Sequence, residues 1–305
     1  MWTEEDVGDL TGRTALITGA NSGIDFATAR ILRRHGADVV LGCRHPGRGQ
    51  AAADTLADDG PGGAVRLLHL DLGSLASVRK AAAEIDAPLD LLVCNAGVML
   101  APVGRTQDGF ELHMGINHLG HFALTGLLLD RLLAAPGSRV VVVASLGHRV
   151  SRLREGSLER GRGRLAFLAY ARSKAANLLF AQELHHRLAA AGSHTCAVAA
   201  HPGGARTDIV RHSARMSRRL AADDVGWRRH LFQEPEIAAL SVLPAATDPP
   251  VCGGEFYGPD GRFGLTGMPA PTRAARLVYD RELQRRVWAD SERLTGVRYD
   301  LPAVR

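Results

Sequence analysis

Apolar residues along the first two hundred positions fall into two alternating kinds of run. Short blocks rich in Val, Ile, Leu and Ala ("RTALIT", "ADVVLG", "AVRLLHL", "LDLLVC", "RVVVVAS" and "TCAVAA") predict strands. Between them lie longer stretches with apolar positions three and four apart, which predict helices. These run from about Ser22 to His35, over "RGQAAADTLADD", over "SLASVRKAAAEI", over roughly Asp108 to Leu133, and over "AYARSKAANLLFAQELHHRLAAA". Such repetition predicts an α/β fold, a single-domain Rossmann-type doubly wound parallel sheet with helices on both faces. Its crossovers should be right-handed. The strand blocks are apolar throughout rather than alternating, as strands buried on both faces require.

Two segments break this rhythm. Gly147–Phe167 is polar and rich in arginine, and Arg211–Glu234 is basic with scattered apolar positions. Long irregular insertions in compact domains commonly act as lids or mobile loops. Residues 147–167 are therefore expected to form a substrate loop, and 208–234 a lid, within one domain spanning 1–305. No internal repeat, low-complexity tract or interdomain linker is evident.

Composition narrows the classes. With 305 residues, 46% hydrophobic and 23% charged, the chain can bury a large core. It has no run of 18 apolar residues to span a membrane. The N-terminal "MWTEEDVGDL" is acidic and lacks the apolar centre of a signal peptide. The four cysteines, Cys43, Cys94, Cys196 and Cys252, form no CxxC pair and read as reduced packing residues. The expected compartment is the cytoplasm. "NHLGH" resembles a metal-ligand spacing, but no metal site is expected. The net charge is +5, yet only Lys80 and Lys174 among the 37 basic residues are lysine. A GC-rich coding genome accounts for that bias; a bacterial secondary-metabolism role goes with it by association only. No recognisable nucleic-acid reading element accompanies the charge.

Candidate chemistry begins at "LITGANSGID", where Gly19 and Gly23 follow a strand and open a helix. In that context glycines allow a tight turn and bring backbone N–H groups against a pyrophosphate. The third position normally carries glycine for close helix–strand packing; here it is Asp25. Two orientations are open. Facing the pyrophosphate at ~5 Å, the carboxylate would cost roughly 3 kcal/mol, about a hundredfold in affinity. Turned away, it would merely suit the first turn of a helix. "LGCR" ends the second strand with Arg44 instead of an acidic residue, which favours NADP(H) over NAD(H). Asp71 is placed to bond an adenine amino group, and "CNAG" brings small residues to a ribose.

"YARSK" sets Tyr170 and Lys174 four residues apart on one helical face. A nearby ammonium favours the phenolate and makes tyrosine a usable acid or base near neutrality. Ser145 ends the strand "VVVVAS", at the carboxyl edge where doubly wound folds hold ligands.

With these pieces, "TGANSGI", "LGCR", "LDLGSLASVR", "CNAGVM", "GINHLGHF", "VVVASLGH", "AYARSKAANLLFAQEL" and "HPGGARTDI", the chain resembles the short-chain dehydrogenase/reductase family. Within it, the chain is similar to the branch containing retinol dehydrogenases and related bacterial reductases, as is the C-terminal "RVWADSERLTGV". The resemblance implies catalytic roles for Asn117, Ser145, Tyr170 and Lys174. Asn117 would hold a water linking Lys174 to solvent, Ser145 would orient a carbonyl, and Tyr170 would exchange the proton. It implies cofactor contacts at Gly19, Asn21, Ser22, Gly23, Ile24, Arg44, Asp71, Leu72, Asn95, Ala96 and Gly97. Tyr170, Lys174, Pro202, Gly203 and Thr207 would complete the nicotinamide end. His148, close to Ser145, is a further candidate for substrate contact.

The expected function is an NADP(H)-dependent oxidoreductase interconverting a ketone or aldehyde with an alcohol, with Asp25 putting cofactor affinity in question. The alternative is the same scaffold with weakened or lost dinucleotide binding, doing dehydration, isomerisation or cyclisation. The substrate is a small carbonyl compound or alcohol. The basic segments after Ser145 read either as contacts for an anionic or carrier-protein-bound substrate or as a solvated arginine-rich surface. No nucleic acid and no membrane are expected as partners. The resemblance implies a homodimer or homotetramer pairing through the long helices near Asn117 and Tyr170.

Overall fold

The computed structural model describes residues 2–153, 156, 158–159, 165–205 and 232–301. Its strands are β1 (Thr14–Thr18), β2 (Asp38–Cys43), β3 (Val65–His69), β4 (Leu91–Cys94), β5 (Arg139–Val143), β6 (Cys196–Ala200), β7 (Phe256–Pro259) and β8 (Pro269–Pro271). They form one sheet in the order β3-β2-β1-β4-β5-β6-β7-β8, parallel except for β8. The order reverses between β1 and β4, and that reversal opens a crevice beyond their carboxyl ends.

Each central strand feeds two cores, because successive side chains leave opposite faces of the sheet. In β5, Val140 and Val142 enter one core and Val141 and Val143 the other. Full burial of a valine is worth roughly 1.5–3 kcal/mol relative to exposure. Helices α1 (Gly23–Arg34) and α2 (Pro46–Ala57) cover one face, through Ile24, Ile31, Leu32 and Leu56. Helices α3 (Leu75–Ala83), α5 (Gly120–Leu127) and α7 (Ala166–Ala190) cover the other, through Val78, Phe122, Leu124 and Leu184. The doubly wound architecture expected from the apolar pattern is therefore the one observed.

The single helix expected over Asp108–Leu133 is divided. It comprises α4 (Leu112–Met114), a π turn (Gly115–Leu119), α5 and α6 (Leu129–Ala134). Two tight glycines bracket the π turn. A Cβ on Gly115 would lie 2.3 Å from Thr106 Cγ2, and one on Gly120 would lie 2.5 Å from the Leu72 carbonyl oxygen. The helix is thus pressed against the loop after β3, and the wide turn carries Asn117 at that point.

Among the described residues of 147–167 the chain is less open than its polarity implies. Leu146–Val150 is a 3-10 turn, and Leu153 and Leu158 are buried with Met114, Leu119 and Leu179. The lid expected over 208–234 lies mostly outside the described residues. The chain on either side of it meets in a bridge between Ala205 and Gln233, beside Pro202, whose carbonyl accepts from Gln233 Nε2 at 3.1 Å.

Helices α8 (Pro235–Leu240) and α9 (Leu243–Thr247) lie between β6 and β7, and α10 (Arg281–Thr295) follows β8. Asp280 caps α10 by accepting from the Glu282 and Leu283 N–H groups, and Gly296 ends it at φ +65°. Trp288 of α10 packs among Phe122, Phe180 and Tyr299, with ring centroids 4.5–5.9 Å away. The Tyr299 hydroxyl donates to the Phe122 carbonyl at 2.6 Å. The chain's own C-terminal segment therefore covers faces of α5 and α7, the helices through which the resemblance implies subunit pairing.

Candidate active site

The crevice at the β1/β4 reversal is an open cleft. Its floor is the turn between β1 and α1. Gly19 and Gly23 hold φ values of +79° and +64°, a region that strains other residues. Ser22 starts α1 without a side-chain cap bond, so the first-turn N–H groups stay available to an anion. Every expected contact from Gly19 to Gly97 lines this cleft, including Asn21, Ser22, Ile24, Arg44, Asp71, Leu72, Asn95 and Ala96. Asp71 is held by a turn in which its Oδ1 accepts from the Gly73 N–H at 2.9 Å.

Asp25 also lines the cleft. A Cβ built on Gly19 would lie 2.6 Å from Asp25 Oδ2, which places the carboxyl over the first glycine of the turn. Oδ1 is buried and has no hydrogen-bond partner. Burial pushes the carboxyl pKa up to about 8, against the opposing pull of Lys174. The side chain does not stand out in water at the helix start because it points towards the sheet.

The far end of the cleft is basic. Arg44 and Arg48 both line it and are exposed, and α2 begins between them at Pro46. Arg44 Nε and Nη2 lie 3.3 and 3.1 Å from His45 Nε2. Arg48 was not anticipated. It stands one turn beyond Arg44 in "CRHPGR", a spacing visible in the sequence once the helix start is fixed.

Ser145, Tyr170 and Lys174 are not among the residues lining that cleft; the end of β5 and the helix α7 bring them together. Ser145 caps the 3-10 turn, its Oγ accepting from the Gly147 N–H at 3.2 Å. Gly147 lies between Ser145 and Tyr170: a Cβ there would sit in ordinary contact with the Tyr170 ring at 3.5 Å and Ser145 Oγ at 3.6 Å. Tyr170 is buried, which raises its phenol pKa, while a hydrogen bond with Ser145 draws it down. The net direction is upward, opposite to the expectation that Lys174 would make the phenol acidic. The Lys174 ammonium lies 6.0 Å from the Tyr170 ring centre, donates to the Val143 carbonyl at 2.8 Å, and is lowered by burial to about 8.

Asn117 is fully buried and its side chain is occupied. It accepts from the Val98 N–H at 2.8 Å and donates to the Val98 carbonyl at 3.0 Å and to Ser173 Oγ at 2.9 Å. Ser173 in turn donates to the Tyr170 carbonyl at 2.8 Å. The amide therefore ties the loop after β4 to α7 rather than touching Lys174.

Pro202 and Gly203 follow β6. Gly203 adopts φ +70°, and a Cβ there would lie 2.3 Å from the Leu265 carbonyl oxygen. Thr207 lies outside the described residues. His148 does not face a substrate: its Nδ1–H donates to the Ser145 carbonyl at 2.6 Å, and its Nε2 accepts from the Ala275 N–H at 3.0 Å. Both ring nitrogens are thereby used. The histidines of "NHLGH" diverge, His118 to Ser291 and His121 to Thr18. Among the described residues no group of three metal-binding side chains occurs. All four cysteines are free.

Residues 13–218 match the family model for short chain dehydrogenases. The chain belongs to the short-chain dehydrogenase family. This short-chain dehydrogenase is 38% identical to human retinol dehydrogenase 13 over 305 residues, 97% of this chain and 88% of that protein. It is 42% identical to Mus musculus polyprenol dehydrogenase over 293 residues, 93% and 84% of the two chains. A crystal structure of a protein from Mycobacterium Paratuberculosis superposes with a TM-score of 0.81 at 41% identity, covering 98% and 99%. A 3-oxoacyl (acyl-carrier-protein) reductase from Agrobacterium tumefaciens, with NADP bound, superposes with a TM-score of 0.64 at 26% identity, covering 84% and 95%. The chain is thus a member of an oxidoreductase family, related to its retinol dehydrogenase-like branch. No helix among the described residues is long and apolar enough to cross a membrane.

Proposed function

We propose that this short-chain dehydrogenase is an NADP(H)-dependent oxidoreductase that interconverts a ketone or aldehyde with an alcohol. The convergence of Ser145, Tyr170 and Lys174 beside a glycine-floored cleft carries the reading. The residues present fit a dinucleotide. The uncapped start of α1 suits a pyrophosphate, and Arg44, Arg48 and the N-terminus of α2 suit a 2′-phosphate. The NADP bound to the related Agrobacterium tumefaciens reductase supports the same cofactor here. Gly19, Asn21, Ser22, Gly23 and Ile24 would hold the pyrophosphate, Asp71 and Leu72 the adenine, and Asn95, Ala96 and Gly97 a ribose. Pro202, Gly203 and Thr207 would flank the nicotinamide.

When bound, the nicotinamide supplies or accepts the hydride. Ser145 donates a hydrogen bond to the substrate oxygen and holds it beside Tyr170. The Tyr170 phenol, protonated at neutral pH, gives that oxygen its proton in reduction and recovers it in oxidation. Lys174 is cationic below about pH 8, holds the adjoining ribose, and stabilises the phenolate left in reduction. Asn117 acts as a positioning residue, through Val98 on one side and Ser173 on the other.

An apolar alcohol or carbonyl compound fits the rim best. Val150, Leu165, Phe167 and Leu168 are exposed on the segments that lead from Ser145 and into Tyr170. The names of the retinol and polyprenol dehydrogenases agree with that chemistry. Of the arginines that raised the idea of an anionic substrate, Arg154, Arg218 and Arg219 lie outside the described residues.

Calorimetric titration with NADPH and NADH tests the reading, followed by turnover on primary alcohols of increasing chain length. Micromolar NADPH binding, weaker NADH binding and kcat/KM rising with chain length are expected. Tyr170→Phe should abolish turnover and leave NADPH affinity within a few-fold. Absence of binding in both the native protein and Asp25→Gly would end the cofactor assignment.

A further inference from the structure

Asp25 brings an acidic group to the glycine turn that would hold the proposed cofactor's pyrophosphate. Its Oδ2 rests over Gly19, and its Oδ1 is enclosed without a donor. Both glycines of the turn and the first turn of α1 line the same cleft, so the carboxyl and a bound pyrophosphate would be neighbours. The charged and titratable groups around it come from four elements. Lys174 of α7 faces it, but its ammonium already donates to Val143. Cys43 of β2 faces it as a neutral thiol, pushed up to about 12 by burial and by Asp25 itself. Arg44, His45 and Arg48 stand at the α2 end of the cleft, and Asp71 at the end of β3.

From this geometry we propose that Asp25 is a proton-operated gate on the dinucleotide site. The site admits NADP(H) with Asp25 as a neutral carboxylic acid and rejects it with Asp25 as a carboxylate. This inference rests on the cofactor reading above and adds its regulation.

The ionised form would set a third negative charge beside two phosphates, and at ~5 Å with an effective dielectric near 20 that repulsion is worth roughly a hundredfold in affinity. The neutral acid carries one O–H donor, which a phosphate oxygen can accept. Burial already favours the neutral form up to about pH 8 in the empty cleft, and a neighbouring pyrophosphate pushes the carboxyl higher. Binding is then proton-neutral well below pH 8. Above it the free protein has lost the proton that the complex keeps, so binding takes one up and affinity falls.

The test measures NADPH affinity from pH 6 to 9.5 for the native protein, Asp25→Asn and Asp25→Gly. Proton uptake is read calorimetrically in buffers of different ionisation enthalpy. Expected are a flat profile below pH 8 and a fall approaching ~tenfold per pH unit above it. Up to one proton should be taken up per dinucleotide, and both signatures should vanish in the two variants. Infrared difference spectra of the cofactor-free protein should show the carbonyl stretch of a neutral acid at pH 6.5, absent in Asp25→Asn. A pH-independent native affinity overturns the gate while leaving the cofactor assignment standing. An alkaline fall that persists unchanged in Asp25→Asn assigns the titration to Lys174 and also overturns it. If neither the native protein nor Asp25→Gly binds NADPH at any pH, the cofactor reading itself fails and the gate goes with it.

Discussion

Thr18 and His121 meet across the junction of sheet and helix, with Thr18 Oγ1 2.9 Å from His121 Nε2. The other ring nitrogen lies 3.0 Å from the Asn117 carbonyl. A carbonyl only accepts, so Nδ1 carries the ring proton and Nε2 takes the threonine hydroxyl proton. Thr18 Oγ1 is then free to accept from the Asn95 and Ala96 N–H groups, both at 3.0 Å. One buried imidazole therefore locks the end of β1, the loop after β4 and the π turn that carries Asn117.

Replacing that imidazole with an apolar side chain removes two buried hydrogen bonds, from the Thr18 hydroxyl and to the Asn117 carbonyl, and leaves the hydroxyl proton only the Val93 carbonyl at 3.2 Å. His121→Leu should cost about 2–4 kcal/mol of stability. It should also weaken NADPH binding several-fold, because the Thr18 hydroxyl that anchors Asn95 and Ala96 loses the ring that orients it. Urea unfolding paired with calorimetric titration checks both. An unchanged midpoint would mean that the network closes without the ring.

His118, His121 and His201 are buried, and burial lowers their pKa values to about 4, 3 and 3. An unfolded chain binds protons at these imidazoles below about pH 6.5, while the native state refuses them. Stability is therefore complete above pH 6.5 and is lost as pH falls towards 4. Each imidazole contributes up to ~1.4 kcal/mol per pH unit in that window. Calorimetric unfolding between pH 8 and 4.5 should show the midpoint dropping below pH 6.5. His118→Asn should reduce the slope, and a slope unchanged by that substitution would assign the loss to other groups.

Much of the architecture was legible because strand blocks such as "RVVVVAS" are buried on both faces, and such burial leaves a direct imprint on sequence. The glycine turn was legible for the same reason, since its backbone tolerates few alternatives. Strand β8 was not, because Pro269 and Pro271 cannot donate to a ladder and only an edge position accommodates them. The π turn depends on how closely Gly115 and Gly120 approach residues distant in sequence, and periodicity does not carry that. Leu153 and Leu158 sit in an arginine-rich stretch whose composition hides their burial. The inward turn of Asp25 and the double anchoring of His148 are likewise tertiary facts. Residue type named the candidates, but the packing around them decides what each one faces.

Arg44 and Arg48 offer two guanidiniums at one end of the cleft. Hydrogen bonds to charged groups are worth about 1.5–3 kcal/mol each, so Arg44→Ala or Arg48→Ala should weaken NADPH binding by roughly 10- to 100-fold. NADH lacks the 2′-phosphate and should change by only a few-fold. Arg44→Asp should go further and reverse the preference, since a carboxylate accepts from a ribose 2′-hydroxyl and repels a phosphate. Parallel titrations with both dinucleotides decide the matter. Equal losses for NADPH and NADH in Arg44→Ala would show that the arginine does not read the 2′ position.

The packing of α10 bears on assembly. Trp288 fills the space between Phe122, Phe180 and Tyr299, and the Arg187 guanidinium lies 4.4 Å from its ring centre. With that surface occupied within one chain, a second copy has no access to the covered faces of α5 and α7. Sedimentation equilibrium of the whole protein should therefore report a monomer, whereas the family resemblance implies a dimer or tetramer. Trp288→Ala should cost about 3–5 kcal/mol, the usual consequence of emptying a large aromatic site. It should also loosen α10 and let the uncovered apolar face drive self-association that grows with concentration. A native dimer whose cross-links map to α5 and α7 would show that α10 leaves enough of those helices open for a partner.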